Sequence, residues 1–321
     1  MTARMTVIVP AYRASGLIGD VIDSVMAQTE PCNLIIVDDA SPDDTVAVAM
    51  ARAAGNPRVQ VLEQTVNQGP AAARNRAIRT CETEWVALLD ADDRMAPSRM
   101  ASLLALAEDH GWDFIADDLV RVQDWNAIEA GHRHWVDEDF GTLDLSLERF
   151  VRENLYNVCG HGRELGYIKP MMRLSAIREH GLFYREDMRL GEDFDLYARA
   201  LIAGVRFGLV DPQGYYAFDT PGSLSKMHRG KDLKAVWQSS RALWQTPGLP
   251  AEARAALHDH MMLSHKKWAW VRLIEAKHAR NPIEAAKAFM APPPVVGELI
   301  ARLREHFSGS GETVRARGEP A

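Results

Sequence analysis

The chain has 321 residues, 47% hydrophobic and 25% charged, an ordinary globular composition long enough for one large domain with an appendage or for two domains. A formal charge of −7 argues against nucleic acid, because a binder of polyanions needs a basic excess. The three cysteines, Cys32, Cys81 and Cys159, are widely spaced and outside any CxxC or zinc pattern, which points to core filling in a reducing compartment rather than to a disulfide framework.

Thr6-Val7-Ile8-Val9-Pro10 follows the first residues without a leader, and no run of about 18 apolar residues occurs, so a cytoplasmic chain that does not span a membrane is expected. Met5 to Val9 is a β-branched strand stopped by Pro10, and Leu17 to Met26 repeats at helical spacing. Leu34 to Val37 is a second strand ending in Asp38-Asp39. Ser41-Pro42-Asp43-Asp44 then has the form of a helix cap, first-turn proline and capping-box acid for a helix to about Ala54. Val59 to Leu62 is a third strand, Gly69-Pro70 opens a third helix, and Trp85 to Leu89 is a fourth strand. Three strand–helix units in succession imply right-handed crossovers and a mostly parallel sheet flanked by helices, an α/β fold.

Beyond Asp93 the pattern predicts a helix over Ser98 to Glu108 and a strand over Asp113 to Ala116. Residues 120 to 165 have weak periodicity, with a short helix at Leu147 to Val151 and a loop carrying His132, His134 and Trp135. A helix follows at Glu192 to Ile202, then strands at Val205 to Val210 and Tyr215 to Phe218. From about Lys231 the chain reads as a helical appendage: Leu233 to Trp244, Glu252 to Ala276, Pro282 to Met290, and Val295 to Phe307 after the break at Pro292-Pro293-Pro294. Residues 308–321 have little to bury and are expected to be disordered.

The stretch Trp85-Val86-Ala87-Leu88-Leu89-Asp90-Ala91-Asp92-Asp93 delivers three carboxylates to the end of a buried strand, where open α/β sheets place ligands. Crowded acids repel, and a hard divalent cation is a natural partner, although an acidic turn before Pro97 would look the same. Two more polar loops, Pro10-Ala11-Tyr12 and Asp38-Asp39-Ala40-Ser41, belong to the same edge. Tyr12 offers a ring for stacking a base, Asp38 or Asp39 an acceptor for a base imide or ribose hydroxyl, and Asp92 a ligand for a metal on a diphosphate. Neither GxGxxG nor GxxxxGK[ST] is present, so a metal has to do the work of a glycine-rich phosphate cradle, and Arg74 could add a cation. Taken singly, each loop is equally compatible with a turn or a solvated helix face.

Five segments in order, Thr6-Val7-Ile8-Val9-Pro10-Ala11-Tyr12, Ile36-Val37-Asp38-Asp39-Ala40-Ser41, Asn67 to Asn75, Leu89-Asp90-Ala91-Asp92-Asp93 and Gly191-Glu192-Asp193, resemble family 2 glycosyltransferases of the GT-A fold over roughly residues 5 to 228. Gly166-Tyr167-Ile168-Lys169-Pro170 and Met188 to Asp193 are similar to bacterial succinoglycan-type exopolysaccharide enzymes. The resemblance implies a GT-A domain over 1–228, a Rossmann-like mostly parallel sheet, with a C-terminal helical region over 229–307. It puts Pro10, Tyr12 and Asp39 against the uracil of a UDP-sugar, Arg74 and Asp90 at the donor, Asp92 on Mn²⁺ or Mg²⁺ with Asp93 as a rival ligand, and Asp193 as general base with Glu192 supporting it. Ser223-Leu224-Ser225 matches the family's segment after the last core strand, but Ala217-Phe218-Asp219 stands where an arginine is common.

Sugar transfer with inversion needs the leaving diphosphate stabilised and a proton taken from the attacking hydroxyl, and the start of a helix favours a negative charge at Asp193. By resemblance the donor is UDP-glucose and the acceptor a lipid-linked oligosaccharide, with a lipopolysaccharide or protein glycan as the alternative. Ser264 to Arg280, basic with Trp268 and Trp270, suits either a peripheral contact with an anionic bilayer or packing on the protein. His228 is a candidate for completing a metal shell, whereas His258, His260 and His265 read as surface residues. Two rival classes are a sugar nucleotidyltransferase, which lacks support because Pro10-Ala11-Tyr12-Arg13-Ala14 is neither glycine-rich nor strongly basic, and a non-catalytic nucleotide-sugar module, which would dispense with Asp193 or the acidic triplet.

Overall fold

The computed structural model describes residues 3–155, 164–218 and 229–307. The expectations made for Cys159, Asp219, Ser223-Leu224-Ser225, His228 and the tail 308–321 lie outside the described residues. The chain divides into two units, Met1–Phe150 with Arg163–Thr220, and Val151–Gly162 with Pro221–Ala321.

The first unit opens with β1 (Met5–Ala11), α1 (Ile18–Met26), β2 (Cys32–Asp38), α2 (Thr45–Ala53), β3 (Val59–Glu63), α3 (Pro70–Thr80) and β4 (Trp85–Leu88). β1 lies parallel between β2 and β4, with β3 parallel outside β2. Both faces of the central strands are covered: Met5 to Val9 are at most 2% exposed, which is why these strands are continuously apolar instead of alternating. Ile18, Val21, Ile22 and Val25, spaced three, one and three apart, make the buried stripe of α1, each worth about 1.5–3 kcal/mol of transfer free energy.

α2 starts later than the Ser41 signal predicts. Ser41 Oγ instead accepts a hydrogen bond from Arg13 N–H at 3.0 Å, and Thr45 Oγ1 accepts one from Ala14 N–H at 2.8 Å. The polar side chains that look like helix caps tie the loop after β2 to the loop after β1, so no side chain caps α2.

The unit continues with β5 (Arg94–Met95), α4 (Arg99–His110), β6 (Phe114–Asp117), β7 (Val120–Val122), β8 (His132–Arg133), β9 (Thr142–Asp144), α5 (Leu147–Glu153, reaching into the second unit), β10 (Met171–Arg173), α6 (Leu174–His180), α7 (Glu192–Ile202), β11 (Phe207–Val210) and β12 (Tyr215–Phe218). The large sheet has the order β3-β2-β1-β4-β10-β6-β11-β9, and a second runs β5-β12-β7-β8. β10 is antiparallel to both neighbours and interrupts the parallel run. The expected loop around His132 is corrected: His132 and Arg133 pair with β7, and His134 and Trp135 are both 4% exposed, held where Trp135 N–H and Val136 N–H donate to Asp118.

In the second unit α8 (Gly230–Trp244) packs on α9 (Ala251–His278), followed by α10 (Pro282–Ala288) and α11 (Pro293–Phe307). Ala269, Leu273, Ala288, Val295 and Leu299 form its core, and Pro293 begins α11, where a missing N–H costs nothing. Part of the basic face expected on α9 is spent internally: Arg272 pairs with Glu284 at 2.6 Å, Lys266 lies 3.9 Å from Glu298, and Trp268 stacks on Trp237, while Lys277 and Arg280 are exposed. His260 and His265 are corrected from surface residues to buried ones, 8% exposed each. Among the described residues no helix is long and apolar enough to cross a membrane.

Candidate functional site

Because β1, β2 and β4 are parallel, the loops after them emerge at one edge. Tyr12, 44% exposed, carries the Arg13 guanidinium 5.3 Å from its ring centroid. Two non-glycine residues, Arg13 and Ala40, sit in left-handed backbone at φ 55° and 57°, one in each of the first two loops. Such conformations cost about 1–2 kcal/mol each and persist only where neighbours enforce them, here through the Arg13–Ser41 bond.

The two acids after β2 divide their work. Asp39 Oδ1 accepts from Gln68 N–H and Gln64 Nε2, and its Oδ2 from Gly69 N–H at 2.7 Å, so it holds the turn leading into α3. Gly69, at φ 93°, takes a backbone conformation that a side chain would strain. Asp38 Oδ2 accepts from Ser41 N–H at 2.9 Å, whereas its Oδ1 is buried without a partner among the described residues. A buried acceptor left open is a reservoir for a ligand's N–H or O–H.

Next to these loops lies a compact ion network. Arg74, on the first turns of α3 and 5% exposed, donates to Asp90 at 2.9 Å, to Glu192 at 3.1 Å and to Asp193 at 3.5 Å. Lys169 Nζ bridges Asp90 at 3.2 Å and Asp193 at 3.1 Å. Two cations against three carboxylates nearly balance the charge, which is what permits five ionisable groups in a poorly hydrated place. Burial opposes ionisation of Asp90, but Lys169 and Arg74 outweigh it and hold its carboxyl below the usual range. Burial likewise opposes the Lys169 cation, and Asp193 and Asp90 more than restore it. Glu192 is pushed up by burial and by the charge of Asp193 beside it.

Four elements deliver the five members. Gly191 in left-handed conformation starts α7, putting Glu192 and Asp193 in its first turn. β10 pairs antiparallel with β4, Met171 facing Ala87, so Lys169, two residues before Met171, comes level with the end of β4 beside Asp90. The lysine backbone is pinned by Arg99 Nη2 on Lys169 O at 2.7 Å, and Tyr197 OH holds Ile168 O at 3.0 Å.

The acidic triplet resolves into unlike residues. Asp93 is 6% exposed and turned into the protein, where Tyr215 OH donates to it at 2.6 Å and Phe218 N–H at 2.9 Å; Tyr215 OH in turn accepts from Asp90 N–H. Burial and the charges of Asp90 and Asp92 raise its pKa well above the ordinary value, the state of a residue that braces the turn. Asp92 is partly exposed. Among the described residues no group of three or more metal-ligating side chains is assembled. Asp90 and Asp92, both partly exposed, are of the donor type that a Mg²⁺-type ion takes, commonly one or two carboxylates plus substrate phosphates.

Lys169 and Tyr215 had no role in the sequence reading. Tyr215 was legible only as a strand residue. Lys169 stood in a recognised segment, but its approach to Asp90 depends on β10, whose three residues carry no periodicity.

The family model for glycosyl transferase family 2 matches residues 6–163. The succinoglycan biosynthesis protein ExoU of Rhizobium meliloti is 34% identical over 95% of this chain and 89% of its own length, and ExoO of the same organism 29% identical over 94% and 86%. Among solved structures, residues 1–349 of S. aureus TarS in complex with UDP-GlcNAc superpose with TM-score 0.65 at 15% identity, covering 89% of this chain and 90% of that one. The mannosyltransferase PcManGT from Pyrobaculum calidifontis, in complex with GDP-Man and Mn²⁺, gives 0.57 at 19% identity, covering 95% and 88%. These likenesses carry the fold, an α/β GT-A core with a helical C-terminal region.

Proposed function

The chain belongs to glycosyl transferase family 2 and is a glycosyltransferase, and from that premise we propose an inverting enzyme that moves a hexose from a UDP-sugar, glucose in our reading, onto a lipid-linked oligosaccharide in exopolysaccharide assembly. The names of the two Rhizobium relatives support the polymer class, and the UDP-GlcNAc bound to TarS supports the nucleotide. The observation that carries the chemistry is Asp193 at the start of α7, joined through Arg74 and Lys169 to Asp90 at the end of β4.

In this reading residues 1–228 form the catalytic domain and 229–307 a helical region, and the enzyme works on the cytoplasmic face where UDP-sugars are available. Pro10, Tyr12 and Asp39 frame the uracil, Tyr12 by stacking and Asp39 by holding its loop, while Asp38 Oδ1 is the open acceptor for the base. Asp90 accepts from the donor while Arg74 fixes its rotamer. Asp92 would hold Mn²⁺ or Mg²⁺ together with the donor's own diphosphate, and the ion would supply a Lewis acid for the departing group.

Asp193 takes the proton of the attacking hydroxyl. Arg74 and Lys169 engage one oxygen each, yet a carboxylate has about four lone-pair sites, so room remains for the acceptor O–H. The hydroxyl becomes acidic as its oxygen bonds to the anomeric carbon, so proton transfer is late and a weak, well-aimed base suffices. Attack from the face opposite the diphosphate inverts the anomeric centre.

The test is Asp193→Asn, assayed with Mn²⁺, radiolabelled UDP-glucose and a lipid acceptor fraction, with UDP affinity by calorimetry. Transfer should fall about 10² to 10⁴-fold with UDP affinity within about threefold of the parent. Retention of more than about a tenth of the rate removes Asp193 as base.

A further inference from the structure

The second unit contains a cavity of about 610 Å³ between α8, α9, α10, the turn Met290-Ala291-Pro292 and the start of α11 at Pro294, within the range of small-molecule sites. Its walls are of two kinds. Trp237, Trp268, Met261, Met262 and Ala269 make an apolar wall, and three cations, Arg241, Arg272 and Lys287, stand along it. Met290 lines the same cavity while being 84% exposed, so the apolar lining runs out to the surface.

The chemistry of the wall narrows the occupant. Trp237 and Trp268 stack at 4.8 Å, His265 lies 4.5 Å from Trp237, and the guanidiniums of Arg241 and Arg272 sit 5.9 and 5.4 Å from the Trp237 and Trp268 rings. Ring faces already stacked on each other and covered by guanidiniums are poor platforms for a pyranose. What they offer is a greasy surface bordered by positive charge. Glu284 neutralises part of that charge through Arg272 and Lys287, but among the described residues no carboxylate pairs with Arg241. Flexible thioethers beside the indoles adapt to an apolar chain.

We propose that this cavity binds the phosphate-bearing end of a lipid, its chain along Trp268, Met261 and Met290 and its phosphates on Arg241 and Lys287. The proposal deepens the lipid-linked acceptor reading and rests on it: the helical region would hold the lipid of the acceptor. Charge complementarity selects an anionic head, and the apolar wall selects a chain over free phosphate.

The experiment uses the full chain and farnesyl diphosphate below its micelle concentration, followed by calorimetry and tryptophan fluorescence, with saturating UDP present to keep the probe's diphosphate out of the donor site. Farnesol and inorganic pyrophosphate are the two comparison ligands. Farnesyl diphosphate should bind at least tenfold more tightly than either, and Arg241→Gln with Lys287→Gln should weaken it at least tenfold while leaving UDP affinity unchanged. Farnesol equal to farnesyl diphosphate, pyrophosphate equal to it, no binding in the presence of saturating UDP, unaltered affinity in the variant, or tighter binding of a neutral oligosaccharide would each overturn the proposal. UDP affinity and transfer to a short water-soluble acceptor are read separately: their loss in the parent chain would fault the glycosyltransferase reading, whereas lipid binding alone decides this one.

Discussion

At the scale of single residues, the candidate site turns on Lys169. A buried ammonium 3.1 Å from Asp193 and 3.2 Å from Asp90 has no reason to be there unless both carboxylates are ionised, since alone it would pay the full desolvation cost of a buried ion. Removing its charge while keeping its bulk, as in Lys169→Met, leaves Asp90 and Asp193 sharing only Arg74. Repulsion should then swing Asp193 from its position. We expect transfer to fall about 10²-fold or more, with the acidic limb of the pH–rate profile moving to higher pH, because Asp90 loses the cation that does most to hold its carboxyl below the usual range. Lys169→Arg should recover part of the rate. A profile that does not move would make the lysine merely structural. Asp90 and Asp193, which the structure brings together, were legible in the sequence because they stand at the ends of well-patterned elements. Lys169 was not, because its role comes from contact with a residue 79 positions away that no local pattern encodes. Asp93 shows the opposite limit: on paper it competes with Asp92 for a metal, and only the packing of Tyr215 beneath it separates the two.

At the scale of elements, periodic segments were predicted well and short strands poorly. α1, α3, α7 and α9 each present enough turns for an apolar stripe or a terminal signal to register, whereas β5, β8 and β10, of two or three residues, exist only through their neighbours. β11 shows how tightly such a neighbour relation can be set. Gly208 lies where a Cβ would stand 2.2 Å from the ring of Trp112, and that ring is fixed by stacking on His110 at 4.2 Å and by its Nε1–H donating to Asp144 at 2.7 Å. The glycine is thus required by close approach, its backbone being ordinary extended strand. Gly208→Ala should cost about 1–3 kcal/mol by overpacking, read as a lower denaturation midpoint with an unchanged denaturant slope. An unchanged midpoint would mean that Trp112 has room to move.

At the scale of the whole molecule, each unit encloses histidine that packing keeps neutral, His134 in the first and His260 most strongly in the second, and this makes the chain acid-labile. In the first unit His134 Nε2–H donates to Glu164 O at 3.0 Å, so its Nδ1 is the acceptor for Arg121 Nε–H at 3.2 Å. A second proton would have to sit against that guanidinium. Burial first, and Arg121 next, bring its pKa down to about 4. In the second unit Ser240 spends its hydroxyl proton on Val236 O, so His260 Nδ1–H donates to Ser240 Oγ, and burial with the charge of Lys267 brings that ring to about 3. With an unfolded value of about 6.5, protons bind the unfolded chain first as pH falls, so the stabilisation is complete above about 6.5 and is lost on the way down to 4 and 3. For His134 the loss between pH 7.5 and 5 is about 2 kcal/mol. His134→Gln keeps one donor for Glu164 O and one acceptor for Arg121 but does not titrate, so calorimetry at the two pH values should show a smaller fall in melting temperature than the parent. Equal falls would mean that the folded ring titrates at its ordinary value and that the Arg121 contact does not govern it.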